Sequence, residues 1–230
     1  MKNITLLLFA LAGLVVTKVS AQSTQTRPVA GFSSVANSGS FTVHIKITGT
    51  ESLKITAGAD IINEIETVVE GGTLQIRFKH QHEPHNFNGK VEVDITARSL
   101  SGLVCAGSGS VTVDGVLKGH SADVTLSGSG TISAAIESAD LHVTISGSGS
   151  VNLSGKAGQT KVTLSGSGKL AAKDLSTDVA DLMIAGSGNT WLTVNKTISG
   201  TIVGSGNVTY SGNGTVSGIH AVGSGKIRHS

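Results

Sequence analysis

Leu126-Ser-Gly-Ser-Gly-Thr-Ile132, Ile145-Ser-Gly-Ser-Gly-Ser-Val151 and Leu164-Ser-Gly-Ser-Gly-Lys-Leu170 repeat one phrase at a nearly constant interval. The tripeptide Gly-Ser-Gly opens at Gly107, Gly128, Gly147, Gly166, Gly186, Gly204 and Gly223, with spacings of 21, 19, 19, 20, 18 and 19 residues. A fixed period of this length marks a stacked repeat architecture. Alignment on the triplet exposes columns. Two residues before it stand Cys105, Leu126, Ile145, Leu164, Ile184, Ile202 and Ala221. Four before it stand Leu103, Val124, Val143, Val162, Leu182, Gly200 and Ile219. Two after it stand Val111, Ile132, Val151, Leu170, Thr190, Val208 and Ile227. The intervening positions are mostly polar, so the period is 2 and the segments are strands. The parity carries both glycines inward and the serine outward. Glycine also permits a tight corner that a Cβ would forbid.

A period near 19 suggests about three short strands per coil, with coils about 4.8 Å apart. Each coil buries its apolar residues only against its neighbours, so the array is stable as an array. The variable spacing excludes a strict six-residue left-handed helix. It predicts an all-β fold, a right-handed single-stranded parallel β-helix with about 19 residues per coil. Residues 29–100 lack the triplet but alternate in Phe41–Ile47, Leu53–Ile55, Leu74–Phe78 and Val91–Ile95, with a turn at Gly71-Gly72. They read as amino-terminal coils or a cap of the same solenoid, with longer, more antiparallel excursions. The expected organisation is a signal peptide over 1–21 and a single solenoid over 22–230. Residues 22–100 form its amino-terminal portion and 101–230 its seven Gly-Ser-Gly coils.

The signal peptide rests on Lys2, the apolar stretch Ile4–Val16 and the small residues of Val19-Ser20-Ala21 before a cut ahead of Gln22. No later stretch is long and apolar enough to cross a membrane as a helix. The expected location is therefore the periplasm, the outer surface or the medium. Of 17 Lys and Arg, Lys2 and Lys18 fall in the leader, so 15 remain against 15 Asp and Glu. No Lys or Arg cluster offers the basic face that a nucleic acid needs. Cys105 is alone, so no intrachain disulfide forms. It lies in the buried column and reads as a core thiol.

Arg27-Pro-Val-Ala-Gly-Phe-Ser-Ser-Val35, Gly39-Ser-Phe-Thr-Val43, Leu53-Lys-Ile55 and Gly72-Thr-Leu-Gln-Ile76 precede the repeats. Together with them they resemble the family of the putative auto-transporter adhesin, head GIN domain, over nearly all of the mature chain. That resemblance implies a right-handed β-helix, a secreted or envelope location in Gram-negative bacteria of the Bacteroides and Flavobacterium kind, and an adhesive role. It brings no catalytic residues.

The columns carry little chemistry. Asp123 and Asp181 share a column but are separated by two coils, with Lys161 between, so no calcium ladder follows the turns. Asp114, Asp123, Asp140, Asp174, Asp178 and Asp181 scatter over different offsets, where a polysaccharide hydrolase or lyase needs clustered carboxylates. No triplet continues as a phosphate loop or a nucleophile elbow. His80, His82 and His85 form the one dense coordinating run and are weak candidates for zinc or copper; a solvated loop is the commoner fate of such a run. Trp191 falls on the outward phase, where it can anchor a partner or simply cover a neighbouring turn.

These observations point to an exported, non-enzymatic binding module without cofactors or catalytic residues. The expected partner is a glycan or an envelope protein, with self-association through the solenoid ends also open. Thr125, Thr144 and Thr163 on the outward ladder, and Trp191, are the candidate contact residues. The alternatives are a carbohydrate-active β-helix enzyme, which requires Asp94, Asp114, Asp123 and Asp140 in one groove, and a periplasmic structural or sensing module.

Overall fold

The structure is a computed structural model and describes residues 22–79 and 89–230. The order of elements is β1 (Gln22–Arg27), β2 (Ser34–Ser38), β3 (Thr42–Ile47), β4 (Ser52–Gly58), a 3-10 turn (Ile62–Glu64), β5 (Ile65–Glu70), β6 (Thr73–Phe78), β7 (Glu92–Ala97) and β8 (Gly102–Gly107). Long strands follow: β9 (Ser110–Gly128), β10 (Thr131–Gly147), β11 (Ser150–Gly166), β12 (Lys169–Gly186) and β13 (Asn189–Gly204). The last coil is built from β14 (Asn207–Ser211), β15 (Thr215–Gly223) and β16 (Lys226–His229).

The stacked, parallel β-solenoid read from the repeat is what forms. Val111, Ile132 and Val151 are in register, as are Leu126, Ile145 and Leu164, and all six are fully buried. Each such side chain contributes about 1.5–3 kcal/mol through burial. The expectation of three short strands per coil needs correction. β9 to β13 each run as one bent strand of 16 to 19 residues. β10 and β11 pair along their length without a register shift, whereas the ladders to β9, β12 and β13 are interrupted by local irregularities.

The triplet is the corner. Ser148 and Gly149 both donate their N–H to the Gly128 carbonyl, at 3.0 Å each. The first glycine of every triplet has φ between +108° and +124°, a region reserved for glycine. The second does not; it is glycine for a steric reason. A Cβ on Gly149 would lie 2.5 Å from the Gly130 oxygen and 2.7 Å from a Leu126 methyl. The second glycine is buried in most triplets and the serine is outward in all seven. The first glycine departs from the inward phase, being half-buried or exposed, because its positive φ turns the chain before the parity resumes.

The amino-terminal end is not stacked in sequence order. β2 pairs in parallel with both β6 and β8, while β3 pairs in parallel with both β7 and β9. The β2–β3 layer is thus inserted between the β6–β7 layer and the first triplet coil. Beyond β6–β7, β4 and β5 run antiparallel to it, and β1 runs antiparallel to β4. The β5–β6 hairpin turns on Gly71 and Gly72, both at positive φ, as a two-residue loop of the I′ kind requires. Arg27 ties the outer strand down by donating to the carbonyls of Ile62 and Ile65.

Register reveals a degenerate triplet in the β2–β3 layer. Ser110 N–H donates to the Phe41 carbonyl and Gly109 N–H to the Gly39 carbonyl, so Gly39-Ser40-Phe41 sits beneath Gly107-Ser108-Gly109. Phe41 takes the second glycine's place. It is fully buried, with its ring centroid 4.8 Å from that of Phe78.

One core position is polar without a partner. Thr190 is fully buried in the column of Leu170 and Val208, and its hydroxyl makes no hydrogen bond. Thr190→Val keeps the shape and removes the unpaired group. It is expected to stabilise the fold by about 1 kcal/mol and raise the melting midpoint by roughly 2–4 °C. A fall in the thermal circular dichroism midpoint would show that the hydroxyl is used.

Candidate functional site

Unequal coil lengths hollow out one face of the solenoid. Between Thr112 and Val116, β9 carries Val113, Asp114 and Gly115, where β10 carries only Ala134. β11 likewise has only Leu153 at this corner, while β12 has Ala172 and Lys173 facing it. Toward β13, no residue pairs with Lys173, Asp174 or Leu175. Extra residues bulge outward from a ladder. The short coils β10 and β11 therefore form a floor between two lips, Thr112-Val113 on one side and Lys173-Asp174 on the other. The resulting groove has a volume near 610 Å³. That lies within the range of about 300–1,000 Å³ common to small-ligand sites.

Ala134 and Leu153 make the groove's apolar floor, and Ser133, Asn152 and Ser154 its polar lining. Asn152 donates from Nδ2 to the Ser133 Oγ at 3.2 Å, which fixes the amide across two coils. Trp191 closes the carboxyl-terminal end. It is half-buried, stacked in register on the small Ala171, and Lys169 Nζ lies 4.9 Å from the centre of its ring. Both readings of Trp191 hold: it covers the coil beneath and it faces the groove. No ion pair is formed by Lys169, Lys173 or Asp174 among the described residues.

Several charges elsewhere are paired. On an adjoining face Lys118 lies 2.7 Å from Glu137 and Lys196 lies 2.9 Å from Asp178. The hydrogen bond from its lysine is the main reason each carboxyl is held below its ordinary pKa. The four acids that an enzyme reading requires do not share one groove. Asp94 pairs with Lys54 at 3.0 Å and Asp114 with Lys46 at 3.4 Å, along a second groove. Asp123 faces His142 and Asp140 faces His120, both at 3.3 Å, away from it. Asp123, His142, Lys161 and Asp181 follow one another in register, so the two acids do not meet in adjacent coils.

Thr125, Thr144 and Thr163 are stacked in one outward column, which Met183 then interrupts with a 57% exposed side chain. They lie off the Trp191 groove, which brings none of them together with Trp191. His80, His82 and His85 lie outside the described residues. Cys105 is fully buried 3.5 Å from the Gly109 carbonyl, and burial pushes its thiol pKa up. Sequence reasoning missed Asn152, Ser154, Lys173 and Asp174. The signal was present in the spacings: two coils of 19 residues lie between coils of 21 and 20.

The profile of the family described as putative auto-transporter adhesin, head GIN domain, matches residues 31–214. Among solved structures, a putative adhesin from Bacteroides fragilis superposes with a TM-score of 0.83 at 22% identity, covering 91% of this chain and 97% of its own. A protein described as a putative lipid binding protein, from Parabacteroides distasonis, superposes with a TM-score of 0.72 at 23% identity, covering 91% and 96%. A putative adhesin from Parabacteroides merdae gives 0.72 at 19% identity, covering 91% and 96%. At these identities the likeness establishes the fold. No curated protein sequence matches the chain.

Proposed function

The chain belongs to the family of the putative auto-transporter adhesin, head GIN domain, and on that premise we propose that it is an exported, non-enzymatic binding module of the cell envelope or surface. One observation carries the reading: the Trp191 groove holds Lys169, Lys173 and Asp174, none in an ion pair among the described residues, while Asp94 and Asp114 in the neighbouring groove are each paired with a lysine. A groove of that kind is built to meet something else. Of the acids an enzyme would need, Asp94 and Asp114 are held by lysines and Asp123 and Asp140 lie outside their groove, which speaks against the paired carboxylates of glycoside cleavage. The leader over residues 1–21 supports export, with the mature chain starting at Gln22.

Purified residues 22–230, fluorescently labelled, are expected to bind bacterial or epithelial cells saturably, with the unlabelled protein competing. Binding at background on every cell type and on immobilised envelope extract would remove the adhesive reading. Full-length chain expressed in a Gram-negative host is expected to yield a periplasmic or surface product whose amino-terminal residue is Gln22.

A further inference from the structure

Resting on that binding role, we propose that the groove between the β9 and β12 lips is a saccharide site selective for an acidic oligosaccharide. The floor is not a sheet edge, because β10 and β11 pair with each other throughout and with the flanking coils on either side of the irregularities at Ala134 and Leu153. A peptide therefore finds no free edge to extend, and recognition falls to side chains. An acyl chain finds little to cover, since Ala134 and Leu153 are only 7% and 3% exposed. What remains is a long trough of mixed lining, with hydroxyls and an amide set among small apolar side chains and one aromatic end. Thr112, Ser133, Asn152, Ala171 and Trp191 follow one another in register across five coils, a span of about 19 Å at the usual strand spacing.

A pyranose has matching features. Its ring carries an apolar C–H face, suited to the indole of Trp191, and a rim of hydroxyls that both donate and accept. Asn152 and Ser154 can serve either role, Asp174 accepts and Lys173 donates. The charge sets the class within saccharides. Two lysines, Lys169 and Lys173, outnumber the one acid, Asp174, at the Trp191 end. Trp191 also holds the Lys169 ammonium over its ring at 4.9 Å, so that cation is positioned before a ligand arrives. A sugar carboxylate beside the stacked ring meets it without ordering a free lysine.

Isothermal titration of residues 22–230 with trigalacturonic acid and with neutral maltotriose tests the site. Saturable binding of the acid, at least tenfold tighter than the neutral sugar and weakened by salt, is expected. Trp191→Ala should weaken it tenfold or more. Lys173→Gln, on an exposed lip where no fold contact is lost, should weaken it several-fold and reduce the salt dependence. Equal affinity for the two sugars, or unchanged affinity in Lys173→Gln, overturns the proposal. So does a pentaglutamate peptide that binds equally well with the same dependence on Trp191. Cell binding that survives Trp191→Ala, with no uptake of either sugar, sinks this site and leaves the adhesive role standing. Sugar binding without cell binding does the reverse.

Discussion

Gly149→Val is expected to lower the melting midpoint of residues 22–230 by roughly 10 °C or more, while Ser148→Ala one residue away leaves it almost unchanged. The two residues share a corner but not an environment. Gly149 is buried against the preceding coil, and its missing Cβ leaves room for the Gly130 carbonyl and a Leu126 methyl. That carbonyl cannot retreat, since it already accepts the Ser150 N–H at 3.0 Å. Any side chain must therefore push the adjacent coils apart, and a forced separation in a packed ladder costs about 3 kcal/mol or more. Ser148 points to solvent. Gly147→Ala should be comparably damaging by another route, because its φ of +114° strains any Cβ and the Gly128 oxygen would lie 2.5 Å from it. Differential scanning calorimetry of the variants decides the matter. A Gly149→Val protein that melts with the parent shows that the coils can separate there at no cost.

Phe41→Gly should destabilise the fold by about 3–5 kcal/mol, although it restores the repeat's own Gly-Ser-Gly in the β2–β3 layer. A repeat consensus would predict the opposite sign. The difference lies in what each position faces. The second glycine of a regular triplet meets the leucine or isoleucine of the coil before it, as Gly168 meets Ile145. Phe41 belongs to the layer where the regular coils give way to β6–β7, and it packs with Phe78. Removing the ring opens a cavity that the paired backbone around it cannot close. A urea midpoint that rises in Phe41→Gly would refute this assignment.

The columns made the inward face legible because side-chain parity is a local property of a strand. Val111, Ile132 and Val151 could be named as core from their spacing, and they are buried. Stacking order was not legible, because alternation says which face a residue takes and nothing about which strand lies alongside. β2 and β3 look like any first coil, yet β6–β7 is laid outside them. Gly39-Ser40-Phe41 went unread as a triplet for the same reason: its partner, Gly107, lies beyond the whole excursion from β4 to β7. The groove was hidden differently. Its lips come from two coils being longer than their neighbours, a relation among coils that no single coil displays. Trp191 was visible as an outward aromatic, but Lys173 and Asp174 gain meaning only from the register that leaves them unpaired with β13.

The interleaved layers also set a timetable. Each carboxyl-terminal coil closes against the one just made, so a short loop suffices and growth can proceed one coil at a time. Ser34 must instead wait for Thr73 on one side and Gly102 on the other, and Thr42 for Glu92 and Ser110. Contacts of that range are the slow ones in folding. A chain delivered amino end first would carry β2 and β3 paired on one side at most until residues 102–114 had emerged. The segment of the molecule that arrives early is then covered on both sides only once the first triplet coil has arrived.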